Sequence, residues 1–315
     1  MNLDLLRKGG EIHKNVQQYT KNELLKSGVV LWDLTKSIEQ KIQDFTNYDP
    51  EQPLLGGVAF PTGVSINNCA AHWTPNPRDT YQTLSKRDII KVDFGVHLNG
   101  WILDGAFSYT ENPELVPLIE CSEDATNTGI ALAGIDSILG EIGAGIEEVI
   151  NSYEVTIKNK VYPIVSTYDL CGHQIGHYKI HAGKAVPNVK IRYPMRMKAG
   201  EEYAIETFPS TGTGRTTEDQ SSTSHYMIDT ILLDNTILPQ SLRTIYEDIT
   251  KRYGTLAFCK RWLKYTDSQM SSFDVLVAKG YVKGYPPLYD TAKGSFVAQT
   301  ERSIYLNDEH KIILN

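Results

Sequence analysis

Asp93 and Asp104 lie in the stretch IIKVDFGVHLNGWILDGAFSYT, which has the pattern of a β-hairpin. Residues 89–96 and 101–109 are strand-like, and turn-forming residues separate them. The strands are otherwise rich in apolar residues, and two adjacent negative charges in an apolar sheet are costly unless a cation neutralises them. Hard divalent cations take carboxylate oxygens as ligands. The hairpin therefore indicates a metal site, and a solvent-exposed face that carries both aspartates is the alternative.

The position of the turn decides how the two aspartates meet. If residues 98–99 form a two-residue loop, Asp93 and Asp104 are directly opposite, with Cβ atoms ~5 Å apart. If residues 99–100 form it, which is the better Asn-Gly pair for a type I′ turn, Asp104 faces Gly95 and the two aspartates are diagonal neighbours. Both registers keep the two carboxylates on one face.

Three histidines follow one another at four-residue spacing in GHQIGHYKIHAGK, at His173, His177 and His181. On a helix they would share a face, but the glycines of this segment argue against a stable helix. On a strand, an even spacing also keeps them on one side. The segment therefore predicts a site, and the spacing leaves open which histidines bind metal and which bind substrate.

Two glutamates lie in strand-like segments further along the chain, Glu206 in EYAIETF and Glu301 in VAQTERSIYL. Each is flanked by apolar or β-favouring residues. A glutamate on an amphipathic strand usually faces outward. Judged from its own segment alone, each is predicted to be a surface residue.

Short β-rich runs and helical segments alternate along the chain without βαβ regularity, which predicts an α+β fold. The helical segments are expected at residues 1–48, where Gly9-Gly10 would interrupt the stripe and Asn22 would cap a second run, at 115–134 and 135–153, and at 240–280. The strands are expected at 54–109, at 162–166, in a block from 173 to 233 that includes EEYAIETF and HYMIDTILL, and in the closing segment GSFVAQTERSIYL.

Composition narrows the class of protein. The chain has 315 residues, with 31 basic and 38 acidic side chains and a net charge of −7, which argues against a nucleic-acid partner. No apolar run reaches the ~18 residues that span a bilayer, and the N-terminus has no secretory signal pattern. Four widely spaced cysteines indicate reduced thiols. These features predict a soluble cytoplasmic protein without a membrane partner.

Several longer motifs occur in a fixed order, and together they cover nearly the whole chain. They are FPTGVSINNCAAHWTPN, KVDFG with the second aspartate, GHQIGHYKIHAGK, EEYAIETF, SHYM, GTLAFCKRWL, YPPL and AQTERSIYL. In these motifs the chain resembles the type 2 methionine aminopeptidases. The resemblance implies the pita-bread fold, a single catalytic domain over residues 1–315 whose two pseudo-symmetric halves enclose the site, and an inserted helical subdomain at 227–284.

The resemblance also implies a dinuclear metal centre. Asp93 would chelate one ion, and His173 with Glu206 would complete the other. Asp104 and Glu301 would bridge the two ions. The metals would be divalent Mn, Fe, Co or Zn, and a hydroxide held between them would attack the carbonyl that follows the N-terminal methionine. Glu206 also occupies the position that the family uses for proton transfer.

On the substrate side, His181 resembles the family histidine that contacts the scissile amide and stabilises the tetrahedral intermediate. His72 matches the substrate-side histidine that epoxide inhibitors of the family alkylate. The methionine pocket would be formed by Phe60, Ile180, Phe208, His225, Ala257 and Tyr285. The implied substrates are nascent polypeptides and peptides whose N-terminal methionine precedes a small residue, and the protein is expected to be a monomer.

The chain departs from its relatives in three places. The sequence shows no long charged N-terminal extension of the kind seen in eukaryotic type 2 enzymes, so the ribosome association that such an extension carries is not expected from it. His177 replaces a non-histidine residue and is predicted not to bind metal, and Cys171 stands where relatives often have Asn. Two other functions remain as alternatives: a catalytically silent binding protein of the same fold, and a prolidase or Xaa-Pro aminopeptidase that uses the same ligands.

Overall fold

The computed structural model of the chain describes residues 2–229 and 238–315. Its described helices are α1 (Leu3–Tyr19), α2 (Leu31–Thr46), α3 (Val116–Leu132), α4 (Leu139–Asn151), α5 (Gln240–Tyr253) and α6 (Asp267–Ala278). Its described strands are β1 (Gly56–Ile66), β2 (Cys69–Ala71), β3 (Ile89–Leu98), β4 (Trp101–Thr110), β5 (Glu154–Ile157), β6 (Lys160–Pro163), β7 (Val165–Ser166), β8 (Cys171–Ile175), β9 (Ala185–Pro187), β10 (Glu202–Thr207), β11 (Pro209–Ser210), β12 (Thr216–Glu218), β13 (His225–Ile228), β14 (Val282–Tyr285), β15 (Leu288–Asp290), β16 (Thr300–Leu306) and β17 (Lys311–Ile313). The α+β class predicted from the sequence is confirmed.

One large antiparallel sheet organises the molecule. Its strand order is β1-β3-β4-β16-β10-β8-β9, and β17 pairs with β16 outside this path. The late strand β16 therefore lies between the strands of the first part of the chain and those of the second. Smaller sheets are formed by β11-β7, β12-β15-β2, β13-β14 and β5-β6.

Helix α1 runs without interruption through Gly9-Gly10, so the predicted break there is wrong. The glycines serve close packing instead, since a Cβ on Gly9 would lie 2.4 Å from Leu103 and one on Gly10 would lie 2.1 Å from the carbonyl oxygen of Leu314. Asn2 caps this helix by accepting a hydrogen bond from Leu5 N. The predicted cap at Asn22 is also wrong, because that residue lies in a π-helical turn that continues from α1.

The turn between β3 and β4 follows the second of the two predicted registers. Asn99 and Gly100 both have positive φ, 48° and 77°, as a type I′ turn requires. Asp104 therefore faces Gly95, and Asp93 faces Ala106. The two aspartates are diagonal neighbours on one face of the hairpin.

Helices cover one face of the large sheet and leave the other face for the site. The helix-covered face buries Val92, Phe94 and Phe107 against α1 and α2 in one core cluster. A second cluster packs Tyr203 and Ile205 against α3 and α4. Because side chains alternate along a strand, the residues between these apolar positions point to the opposite face.

A third cluster of buried residues joins α5 and α6 to β13 and β14. A 3₁₀ turn at Lys260–Trp262 lies between the two helices, so the helical prediction for 240–280 is confirmed in its main parts. The predicted strand HYMIDTILL begins as β13, and its remainder after residue 229 lies outside the described residues. Among the helices that the structure describes, none is both long and apolar enough to cross a membrane.

Candidate metal centre and substrate cavity

Five neighbouring strands of the large sheet each contribute one of the residues predicted to bind metal. Across the order β3, β4, β16, β10 and β8, these are Asp93, Asp104, Glu301, Glu206 and His173. The structure thus brings together residues that lie as much as 208 positions apart in the sequence (301 − 93). The sheet, more than any local segment, builds the site.

Strand register arranges three of these residues, together with Ala106, in one row across the sheet. Asp93 faces Ala106, Ala106 faces Glu301, and Glu301 faces Glu206. Residues that face each other in antiparallel strands share a face, so the three carboxylates point the same way. Ala106 lies among them and leaves room because its side chain is small.

A second row lies next to the first on the same face, displaced by two residues along each strand, and it carries Asp104 and His173. His173 faces Ala204, which is two residues before Glu206 on β10. Asp104 is two residues before Ala106 on β4 and shares its face. The two rows together form a compact cluster of oxygen and nitrogen atoms.

The imidazole of His173 shows how compact the cluster is. Its Nε2 lies 3.5 Å from Asp104 Oδ2, 3.8 Å from Glu206 Oε1 and 4.0 Å from Glu301 Oε1. One potential ligand atom from each of Asp104, His173 and Glu301 can be chosen so that all lie within 4.8 Å of one another. This spacing allows a single ion to be held by all three side chains.

The expectation that Glu206 and Glu301 face outward is wrong, since they are only 9% and 4% exposed. Within residues 2–229 and 238–315, Glu301 Oε1, Asp104 Oδ1 and Asp93 Oδ1 are buried without a hydrogen-bond partner. Buried carboxylate oxygens are almost always paired in folded proteins. Several unpaired ones aimed into one space fit a site for divalent cations, with a mixed oxygen and nitrogen donor set.

The pKa values of the carboxyl groups are raised because burial disfavours their negative charges. Burial, with the nearby Asp104 second, raises the pKa of Asp93 to about 8, and burial raises that of Asp104 to about 7. Burial first and the neighbouring carboxylates second raise the pKa values of Glu206 and Glu301 well above their usual range. Burial lowers the pKa of His173 to about 4, so the ring is neutral and free to bind a cation.

Gln299 is a residue of the site that the sequence reasoning missed. Its Nε2 lies 3.1 Å from Asp93 Oδ2 and 3.2 Å from Glu206 Oε2, and an amide nitrogen has two hydrogens to donate. The side chain thus connects a carboxylate on β3 with one on β10. Its place in AQTE, two residues before Glu301, was the available signal.

Glu202 is a second missed residue, on the same face of β10 as Glu206. It is fully buried, and neither carboxylate oxygen has a hydrogen-bond partner among the described residues. Burial, and then the charge of Asp104, raises its pKa well above the usual range. Glu202 lies beside the cluster without lining the cavity described next.

A cavity of about 270 Å³ opens above the cluster. All five predicted metal ligands line it, and so do the predicted substrate-side residues Phe60, His72, Ile180, His181, Phe208, His225, Ala257 and Tyr285. Most of the substrate-side residues contribute apolar surface, and the histidines and the carboxylates contribute polar groups. The structure therefore brings every residue predicted for the site to one cavity.

Three further histidines, which are not predicted metal ligands, line this cavity. His181 meets His173 edge to face, with ring centroids 4.5 Å apart, and His72 lies 5.8 Å from His225. His72 has a φ of 63°, an unusual value for a side chain of its size. Burial lowers the pKa of His72 to about 4 and that of His225 to about 3, so both rings are neutral near pH 7.

His177 lies at the tip of the β3-β4 hairpin. Its Nε2 is 2.6 Å from the carbonyl oxygen of Asn99, and its ring lies 4.6 Å from that of Trp101. These contacts engage the side chain in the packing of the hairpin. Cys171 lines the cavity, and burial, followed by the charge of Glu206, raises the pKa of its thiol to about 11.

Comparisons with known proteins agree with this geometry. The profile of metallopeptidase family M24 matches residues 4–234. Methionine aminopeptidase 2-2 of Leptosphaeria maculans is 42% identical to the chain, with 100% of this chain and 71% of that protein aligned. The chain belongs to family M24 and to the type 2 methionine aminopeptidases. Methionine aminopeptidase 2 of Phaeosphaeria nodorum is 43% identical, with 96% of this chain and 70% of that protein covered.

Membership of family M24 makes the chain a metal-dependent hydrolase. Solved structures show the fold. The methionine aminopeptidase from Thermotoga maritima has a TM-score of 0.65 at 16% identity and covers 99% of this chain and 95% of its own. A thermophilic Arx1 has a TM-score of 0.80 at 14% identity, covering 100% and 91%. The pita-bread fold expected from the sequence is confirmed.

Proposed function

We propose that the chain removes the N-terminal methionine from peptides and nascent proteins by metal-dependent hydrolysis in this cavity. The observation that carries the proposal is the convergence of one chelating side chain from each of five neighbouring strands onto the floor of a cavity of about 270 Å³. The curated relatives that share over 40% of its sequence are named methionine aminopeptidases. The cavity is the place where such a substrate would bind.

We assign two divalent ions to the cluster, with Mn, Fe, Co and Zn as candidates. Asp93 would hold one ion, and His173 with Glu206 the other. Asp104 and Glu301 lie next to both groups and would bridge the ions. Bound metal supplies Lewis acidity, polarising the scissile carbonyl and lowering the pKa of a water molecule towards neutrality.

The residues of the chain supply proton transfer and orientation. Glu206 has one carboxylate oxygen near His173 and the other held by Gln299. A carboxylate fixed in this way can take a proton from the attacking water and deliver it to the leaving amine. His181, beside His173 and neutral in this proposal, is placed to donate a hydrogen bond to the scissile amide.

The methionine side chain would occupy the part of the cavity away from the carboxylates. Phe60, Ile180, Phe208, His225, Ala257 and Tyr285 line the cavity and form the pocket in this proposal. An unbranched thioether adapts well to an irregular apolar pocket. His72 would contact the substrate from the opposite side, and a small second residue would suit the limited space.

Residues 227–284 are proposed to form an inserted helical subdomain. β13 and β14 pair antiparallel, with Ile228 facing Val282, so the chain leaves and returns at adjacent positions. The excursion contains α5 and α6, and Met227 and Ala257 line the cavity. The insertion would therefore provide part of the wall of the methionine pocket.

Methionine release from Met-Ala-Ser tests the proposal, after chelation and readdition of one divalent metal at a time. We expect release only with metal, and no cleavage of Xaa-Pro peptides. Glu301→Gln should reduce release about a hundredfold or more, because it removes a bridging charge. The matched control Glu309→Gln changes an exposed glutamate in a surface turn and should act like wild type. A metal-loaded protein that releases no methionine would refute the function.

A further inference from the structure

Ser224 is a fully buried residue immediately before β13. Its Oγ lies 3.2 Å from each of three polar atoms: the amide nitrogen of Thr74, the carbonyl oxygen of His72 and the Nδ1 of His225. Two of these atoms belong to a segment about 150 positions earlier in the sequence. Ser224 therefore links two distant segments whose histidines both line the cavity, although it does not line the cavity itself.

The hydrogen bonds of His225 determine which ring nitrogen carries its proton. Nε2 lies 3.1 Å from the carbonyl oxygen of Pro61, which can only accept. Nε2 must therefore donate, and in the neutral ring Nδ1 has a lone pair and accepts. The hydroxyl of Ser224 is the group placed to donate to Nδ1. This pair of contacts fixes both the tautomer and the plane of the ring.

The same hydroxyl stabilises an unusual backbone conformation at His72. A residue with a large side chain and a φ of 63° is strained, and such strain persists only where surrounding contacts hold it. Ser224 Oγ reaches the carbonyl oxygen of His72 and accepts from the amide of Thr74, on the far side of Trp73. The contacts hold the segment that directs the His72 ring towards His225.

We propose that Ser224 is a positioning residue that holds His72 and His225 in their orientations for substrate binding and catalysis. The single hydroxyl hydrogen alternates between His72 O and His225 Nδ1, while the amide of Thr74 fixes the oxygen. Ser224 acts through the two histidines and touches no substrate. This inference rests on the function proposed above, because it assigns a role within that reaction.

Ser224→Ala tests the inference, with Ser295→Ala as the matched control. Ser295 is also buried, and its hydroxyl donates to a backbone carbonyl, that of Ala292, in a loop away from the cavity. Loss of one hydrogen bond of about 1.4 kcal/mol corresponds to a tenfold change. We expect the kcat of Ser224→Ala on Met-Ala-Ser to fall about tenfold per metal-loaded enzyme, with a smaller change in KM. The control should keep the wild-type kcat.

A spectroscopic readout separates positioning from a general loss of structure. In protein labelled with ¹⁵N-histidine, the Nδ1 signal of His225 should shift downfield in Ser224→Ala, because the nitrogen loses its donor. The signals of surface His310 should stay in place. If the alanine variant does not fold, Ser224→Cys, which has nearly the same volume but a poor donor, is expected to show the same two changes.

The outcomes separate this inference from the proposed function. An active wild type together with a Ser224 variant of unchanged kcat would overturn the role of Ser224 and leave the proposed function standing. An unshifted Nδ1 signal would overturn it as well, since the hydrogen bond would then be absent. A metal-loaded wild type that releases no methionine would instead refute the proposed function itself.

Discussion

Loading the metal-free protein with divalent cations is expected to release protons, and to release fewer of them as the pH rises. The cause is the group of buried carboxyls on one face of the sheet. Burial first and the nearby Asp104 second raise the pKa of Asp93 to about 8, and burial raises that of Asp104 to about 7. Metal ions bind the ionised form, so binding must expel whatever protons these groups hold.

The number of protons follows from these pKa values. At pH 6 both aspartates are almost wholly protonated, so complete loading should release about two protons from them. At pH 9 both are mostly ionised, and the same step should release only about 0.1 proton from the pair. Glu206 and Glu301, whose pKa values are also raised, add protons at low pH. His173 adds none, because its pKa of about 4 leaves it neutral across this range.

Isothermal titration calorimetry in two buffers of different ionisation enthalpy measures the number of protons released at each pH. Chelated protein is titrated with Mn²⁺ or Zn²⁺, and the metal stoichiometry is taken from the same curves. Glu202→Gln is the matched control, since it removes a buried acid on the same face that is not a proposed ligand. It should leave the count unchanged. A proton count that stays constant from pH 6 to pH 9 would refute the electrostatic reasoning.

Four further expectations follow, three from groups described above and one from the buried ion pair between Arg261 and Glu39. Without metal, the melting temperature should fall as the pH rises from 6 to 8. The carboxyls of Asp93 and Asp104 have raised pKa values in the folded chain, so they lose their protons in this range and become buried charges. The melting temperature of the metal-loaded protein should depend less on pH. Gln299→Ala should weaken metal affinity about tenfold in calorimetry, since Asp93 and Glu206 lose their shared donor. His177→Ala should keep the full metal content by elemental analysis, and a stoichiometric loss of metal would contradict the packing role of the ring. Arg261→Met should lower the free energy of unfolding by about 3–5 kcal/mol in urea, because it leaves the buried Glu39 carboxylate without its bidentate partner.

Residue periodicity and turn-forming residues predicted the helices and strands that depend mainly on nearby residues in the sequence. The β3-β4 hairpin, its same-face aspartates and the helices α3 to α6 could be placed in this way, and the Asn99-Gly100 pair favoured the register that the structure has. The break expected at Gly9-Gly10 was wrong for a non-local reason. These glycines are required by the approach of Leu103 and Leu314, which no local pattern shows.

The site could be predicted in part from local pattern and in part from family resemblance. Periodicity supported Asp93 and Asp104, but it assigned Glu206 and Glu301 to the surface, because burial across a sheet depends on partners far away in the sequence. Resemblance supplied those two residues, and the structure places them beside the aspartates.

Gln299 and Ser224 were missed for a related reason. Their importance lies in single hydrogen bonds that join distant segments. Gln299, for example, donates to the carboxylates of Asp93 and Glu206, which lie far from it in the sequence. An amide or a hydroxyl in a strand-like segment has no local signature of such a role. Only the assembled sheet shows which polar side chains are shared between two strands.

The position of β16 in the sheet has a consequence for the timing of activity during synthesis. This strand lies between β4 and β10 and carries Glu301, yet it is made after the four other strands that contribute a proposed metal ligand. Until it is inserted, the strands bearing Asp104 and Glu206 lack the neighbour that pairs with both of them. A chain that has not yet added β16 therefore holds only four of the five proposed ligands: Asp93, Asp104, His173 and Glu206. We expect the proposed metal centre to form only when β16 joins β4 to β10 in the sheet.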